Sequence, residues 1–179
     1  MAWSTLLQAL VLAGAGALLW PLVEYGIHGA LSHVWRTPVA PFHWEHHIHP
    51  ERVFTSPLAW VPALAAIYAL AALACGAGAA VGLALGLLAG FLRYERIHYR
   101  IHFCAPRSER ERLLRVHHLA HHFRNPKAYY GVSTPFWDRV FGSLPPEAAD
   151  DYARVANRPP LARRSNFGSV WPSIPRRWR

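Results

Sequence analysis

Two long apolar runs alternate with short histidine-bearing segments along this chain. The first run, Trp3 to Val23, is 21 nearly uninterrupted apolar residues. At the rise of an α-helix it spans roughly 31 Å, about one bilayer core. It has no basic n-region and a histidine pair follows almost at once, so it reads as a retained transmembrane helix and not as a signal peptide. Pro21 is expected to kink its end. The second run, Pro57 to Leu92, holds 36 residues without a charge. As one helix it would reach roughly 54 Å, too long for a single crossing. Gly76-Ala77-Gly78 offers a break in its middle, which predicts a hairpin of two shortish membrane helices over 58–74 and 79–92. Gly82, Ala84, Gly86, Ala89 and Gly90 in the second suit tight helix packing. A hairpin begins and ends on one side of the membrane, so the segments before and after it share a face.

Those segments carry the histidines. Ten of the chain's twelve fall in four clusters: His28 with His33; His43, His46 and His47; His98 with His102; and His118, His121 and His122. Glu24 to His33 can continue the first membrane helix past the surface, although on an α-helix His28 and His33 stand about 140° apart. Trp35, Pro38, Pro41 and Trp44 read as an interfacial turn. Arg93 to Cys104 predicts a short amphipathic helix, with His98 and His102 on one face and Arg93, Arg96 and Arg100 on the other. Ser108-x-x-Glu111 is a capping box opening the next helix, on which His118, His121 and His122 share a face. His117 points about 100° away and, like His49, is left out of the set.

Charge adds an orientation. Of 19 Lys and Arg residues, 17 lie in 93–179. This makes the histidine face cytoplasmic, puts the N-terminus outside, and suggests anionic headgroups as neighbours. Nucleic acid is the weaker reading of a net charge of +9, because no nucleic-acid motif accompanies it. The architecture expected is an all-α membrane protein. About three transmembrane helices carry a cytoplasmic helical cap within residues 1–143, the histidine-bearing core being 24–143. A basic, proline- and arginine-rich tail over 144–179 reads as a solvated or membrane-skimming arm. Cys75 and Cys104 form no CxxC and no obvious bridge.

Twelve histidines could serve core packing, proton relays or pH sensing, but two copies of H-x-x-H-H with two spaced pairs point to metal. Neutral imidazole is a common ligand for zinc, iron, copper and nickel. A closed zinc site takes four ligands, so ten suggest two ions with richer coordination. The clusters contain no Cys, which argues against structural zinc and iron–sulfur sites, and the pair of Glu-x-x-His motifs that soluble di-iron bundles use is absent, Glu95-x-x-His98 being a single copy. Glu24, Glu45, Glu95 and Asp138 lie near the clusters. Each could accept the far ring N–H of a metal-bound histidine and fix its tautomer; for Glu45 and Asp138 a surface or capping role stands equally open. A non-catalytic membrane protein holding zinc is the rival from another class. A transporter is disfavoured by three crossings and no evident inverted repeat.

Taken in order, Glu24-Tyr25-x-x-His28-x4-His33, His43-x-x-His46-His47, His98-x3-His102 and His118-x-x-His121-His122 resemble the histidine boxes of the fatty acid hydroxylase/sterol desaturase superfamily. Tyr130 to Gly142 (YGVSTPFWDRVFG) resembles its C-terminal signature. The H-x4-H first box and the WDRVFG ending are closer to its fatty acid 2-hydroxylase-like branch than to sterol desaturases or small carotenoid hydroxylases. The resemblance implies an integral-membrane enzyme with two irons, zinc being a possible substitute after purification. O₂ would be co-substrate, and a C–H bond of a fatty acyl chain or related lipid would be hydroxylated. Desaturation, or carotenoid hydroxylation, is the chemical variant within the superfamily. It implies His28, His33, His43, His46, His47, His98, His102, His118, His121 and His122 as metal ligands, with Glu24, Tyr25, Glu95 and Asp138 beside them. No cytochrome b5-like haem motif precedes residue 24, so electrons are expected from a separate ferredoxin or cytochrome. The inner or plasma membrane is the expected location.

Overall fold

The protein is described as a computed structural model over residues 2–35 and 37–162. It is helical, with no strand among the described residues. Among the described residues three helices are long and apolar enough to cross a membrane: Ser4–Val34, Pro57–Cys75 and Ala77–Phe103. The first is α1 (Ala2–Tyr25), which runs through Pro21 and continues without a gap into a π-helical segment, Gly26–Val34. The second is α3 (Pro57–Cys75), reached through a short helix, α2 (Ala40–Ile48). The third is α4 (Ala77–Phe103).

The hairpin is present but tighter than expected, because Gly76 alone breaks it. At φ +84° this residue takes a backbone conformation costly for side-chain-bearing residues. Beyond it α4 does not stop at residue 92. The separate amphipathic helix expected over Arg93–Cys104 is the last three turns of the same 27-residue helix. Nothing in that stretch interrupts it: Arg93 begins a change of environment, from lipid to cap, without a glycine or proline to end the backbone pattern.

Helix α4 is the axis of the fold. It packs in parallel along α1, and its seam is Gly78, Gly82, Gly86 and Gly90, spaced four apart on one face. Thr5, Ala9, Ala13 and Trp20 of α1 meet them in that order. A Cβ on Gly82 or Gly86 would collide with the carbonyl groups of Ala9 or Ala13, so the backbones touch directly, as small-residue membrane seams allow. Helix α3 packs on α4 and has no buried residue; its apolar surface on every side suits lipid. Ser56 caps its first turn by accepting from the Leu58 amide at 3.3 Å.

The parallel packing leaves the π-helical segment and the end of α4 at the same level, and the cap closes over them. It consists of α2, α5 (Glu109–Phe123), α6 (Phe136–Val140) and α7 (Ala148–Val155). Half of the expected capping box forms: Ser108 Oγ accepts from the Glu111 amide at 3.2 Å. Glu111 does not return to Ser108 but takes the Arg107 amide and pairs with Arg100. Residues 144–162, expected to begin a solvated arm, instead belong to the cap. Ala148, Asp151 and Val155 recur on one buried face of α7 against α5, and the Leu161 amide donates to the His102 carbonyl. The rest of that arm, with Trp171 and Trp178, lies outside the described residues.

The seam gives a paired prediction. Gly86→Ala should lower the thermal unfolding temperature of the detergent-solubilised protein, overpacking costing about 1–3 kcal/mol. Gly14→Ala, on the same helix as Ala13 but with nothing within 4 Å of a new Cβ, should leave it unchanged or raise it, since alanine favours a helix over glycine by about 1 kcal/mol.

Candidate metal centre

The fold brings all ten histidines of the sequence pattern together, in two groups of five. His28, His33, His43, His47 and His121 form one; His46, His98, His102, His118 and His122 form the other. Within each group one ring nitrogen per residue lies within 4.8 Å of all the others. His117 and His49 belong to neither.

The division cuts through the sequence motifs. In each H-x-x-H-H the first and last histidines, four apart, enter one group and the middle one enters the other. His43 and His47 thus share a group with His121, and His118 and His122 share the second with His46. Each spaced pair then completes one group. His98 and His102 stand one α-helical turn apart. His28 and His33 are five apart, and the π-helix makes that spacing one turn as well, its bonds running from i to i+5. The Trp35 amide, for example, donates to Ala30 at 2.8 Å. The 140° offset calculated for an α-helix is thereby removed, and the two rings lie 5.5 Å apart.

Three of the ten ring orientations are set by backbone carbonyls. The Nδ1–H of His28 donates to Tyr130 at 2.5 Å, that of His121 to Ala128 at 2.7 Å, and that of His46 to Arg52 at 3.2 Å. With Nδ1 carrying the proton, each Nε2 is a bare lone pair. Yet the Nε2 atoms of His28 and His121 face one another at 2.9 Å, and His46 Nε2 meets that of His98 at 3.0 Å. His118 Nε2 has three such neighbours, on His98, His102 and His122, at 3.0–3.1 Å. Ring protons cannot satisfy these contacts, because each neutral imidazole has only one. His33 Nε2 is buried without any partner. Nor are the rings cationic: burial pushes His46 and His47 down to about 3 and holds His43, His118, His121 and His122 well below the ordinary imidazole value. Converging neutral nitrogens fit a metal ion. Two bonds of about 2.1 Å at a right angle would place their nitrogens roughly 3.0 Å apart. Each group can hold one ion.

The expected carboxylates are all close by. Glu24, Glu95 and Asp138 accept from backbone amides of the loops beside the histidines, and Glu45 pairs with an arginine of one such loop. Buried Asp138 accepts from the Tyr130 amide at 2.6 Å and the Gly131 amide at 2.8 Å, fixing the residue whose carbonyl holds His28. Glu24 takes the Val132 and Ser133 amides at 2.6 and 2.8 Å. Glu45 pairs with Arg52, whose carbonyl holds His46, and Glu95 takes the amide and hydroxyl of Thr55 in the same loop. Carboxylates are stronger acceptors than carbonyls and can take two backbone donors at once, which explains why they hold the loops. Tyr25 is further out: its hydroxyl donates to Ser143 at 2.8 Å, and Ser143 in turn donates to Asp138.

Three contributors were not legible in sequence. Tyr129, fully buried, sits at φ +60°, an uncommon conformation for a bulky residue. It separates the two carbonyls that hold His121 and His28. Asp151 fixes its hydroxyl at 2.8 Å. His117, expected to be a bystander, is 0 % exposed. Its Nε2–H donates to Asp138 at 2.9 Å and its Nδ1 accepts from Tyr152 at 2.7 Å. It lies outside both groups, but in a cap two layers thick the opposite face of α5 is a core as well.

An apolar cavity of about 290 Å³ reaches the histidines from the membrane side. Trp20 of α1, Ile27 of the π-helical segment, Trp60 and Ile67 of α3, and Leu87 and Phe91 of α4 line it, together with His28, His43, His46 and His98.

The fold and the site together define an integral-membrane helical protein with two all-histidine groups that could each hold a metal ion. A sequence model of the family described as Fatty acid hydroxylase matches residues 13–143, and the chain belongs to that family. It is 34% identical to a dihydroceramide fatty acyl 2-hydroxylase of Arabidopsis thaliana, over 73% of this chain and 59% of that protein. It is 33% identical to a fatty acid 2-hydroxylase of Rattus norvegicus, over 75% and 40% respectively. A solved structure of full-length scs7p, in which only the hydroxylase domain is visible, superposes with a TM-score of 0.66 at 29% identity, covering 88% of this chain and 60% of that one. The chain thus spans about 40–60% of the length of these relatives.

His117→Ala should destabilise the protein by roughly 1–3 kcal/mol, the cost of stranding buried hydrogen-bonding groups. His49→Ala, at a half-exposed site beside Glu45 and Glu51, should stay within about 0.5 kcal/mol. Denaturant titration of both variants in one detergent measures the difference.

Proposed function

We propose that this chain is an O₂-dependent lipid hydroxylase whose ten clustered histidines hold two iron ions. The observation that carries the reading is the pair of five-histidine groups beside an apolar, membrane-facing cavity, in a member of the fatty acid hydroxylase family. The overall reaction is R–H + O₂ + 2 e⁻ + 2 H⁺ → R–OH + H₂O, with both electrons supplied from outside the chain. The two irons, when bound, supply the activation of O₂.

The protein's own residues do the rest. The aromatic and aliphatic wall between α1, α3 and α4 would bind an acyl chain, excluding water and setting which carbon lies nearest the histidines. A chain lying there could keep its polar end at the membrane surface beside Ser56 and Arg52, which line the same cavity. The relatives named above are 2-hydroxylases of fatty acids and dihydroceramide acyl groups, so a fatty acyl chain is the substrate class proposed. Asp138, Glu24, Glu45 and Glu95 act as positioning residues, holding the loops whose carbonyls aim His28 and His46. Tyr25 supports Asp138 through Ser143. The concentration of Lys and Arg after residue 93 supports a cytoplasmic cap and C-terminus.

The test is comparative lipid mass spectrometry of host cells expressing the wild type or His121→Ala. The expected result is a lipid species heavier by one oxygen in wild-type cells, at least tenfold reduced in the variant. A species lighter by two hydrogens would instead make the chain a desaturase, and identical lipidomes would contradict the reading.

A further inference from the structure

One surface patch touches both histidine groups at residues that the cavity does not reach. The cavity reaches His28, His43, His46 and His98 but neither His47 nor His122. These two, one from each group, stack on each other with ring centroids 4.3 Å apart and planes at 26°. Outside them, Trp44 stacks on His47 at 6.0 Å and 28°, and Phe123 lies against His122 at 5.9 Å. Phe123 is 40% exposed, and Ile48, one turn after Trp44 on α2, is 51% exposed. The Arg158 guanidinium sits over the Phe123 ring, 3.7 Å from its centroid. Its position is fixed because its own carbonyl accepts from buried Arg115.

Aromatic rings with an arginine over one of them, around an exposed aliphatic residue, have the composition of a protein-binding hot spot. Charge selects the partner. The chain carries a net +9, and residues 163–179 alone contribute five arginines and no carboxylate. That segment is therefore a poor electrostatic match for a patch headed by Arg158, whereas an acidic protein would be steered toward both. We propose that the patch formed by Trp44, Ile48, Phe123 and Arg158 is the docking surface for a small acidic one-electron carrier protein, and that electrons enter the metal centre there, beside His47 and His122. This rests on the oxygenase reading above. Each carrier molecule is oxidised by one electron, and two successive dockings supply the two electrons that, with two protons from water, reduce one atom of O₂ to H₂O while the other enters the lipid.

The experiment uses the full chain in lipid nanodiscs with two probes: the soluble haem domain of a cytochrome b5 and a plant-type [2Fe–2S] ferredoxin. At low salt the wild type should bind at least one of them, with affinity that falls as salt rises. In the double variant Arg158→Glu with Ile48→Glu that affinity, and the rate at which the reduced probe is oxidised, should fall tenfold or more. Metal content, and O₂ consumption driven by a small chemical reductant, should be unchanged. The proposal is overturned if neither probe binds the wild type or if the double variant binds as well as the wild type. It is equally overturned if deleting residues 163–179 strengthens binding, which would make the chain's own tail the occupant. Binding that depends on Arg158 without any O₂ consumption on chemical reduction would leave the docking surface standing and count against the oxygenase reading instead.

Discussion

Nitrogen lone pairs directed at one another at about 3 Å inside a dry protein are sustainable only around a cation, and the whole cap of this protein is built to direct them so. His28 and His121 illustrate the constraint. Each gives its only ring proton to a carbonyl, and their remaining nitrogens then face each other at 2.9 Å. Buried polar groups without partners cost free energy in the absence of a ligand, so an ion bound there would stabilise the fold, its binding free energy becoming folding free energy. The carboxylates near the site fit the same logic. Placed one step back, on the amides of the carbonyl-bearing loops, they fix the donors without competing with the imidazoles for metal.

The membrane half of the molecule serves that convergence. A direct backbone seam between α1 and α4 sets the relative height of two helices that carry four of the ten histidines. The seam runs in parallel because α3 returns the chain to the starting side. The same three helices leave an apolar cavity that four of the histidines help to line. Under the proposed function, a membrane-borne substrate would reach the histidines through this cavity, while a water-borne reductant would approach His47 and His122, which the cavity does not reach.

Much of this is legible in the sequence, because hydrophobic length and metal-ligand spacing are local signals. The spans around Trp3–Val23 and Pro57–Leu92, the break at Gly76, the cap at Ser108 and the ten-histidine set follow from residue type and spacing alone. What escapes depends on backbone geometry or on long-range pairing. A 100° step misplaces His33 relative to His28 because the backbone there is π-helical. The exchange of His46 and His121 between groups needs contacts such as that of His47 with His121, 74 residues apart, to be seen. Backbone carbonyls of Ala128, Tyr130 and Arg52 leave no trace in side-chain chemistry, and the left-handed Tyr129 between two of them is a residue that pattern rules would place elsewhere. His117 shows the limit of face arguments: they say which group a side chain misses, not what it meets instead.

The most direct test of the central claim is anomalous X-ray diffraction from crystals of the iron-loaded protein, collected on both sides of the iron absorption edge. Two anomalous peaks are expected, one among His28, His33, His43, His47 and His121 and one among His46, His98, His102, His118 and His122. A single peak, or peaks away from these ten residues, would contradict the account.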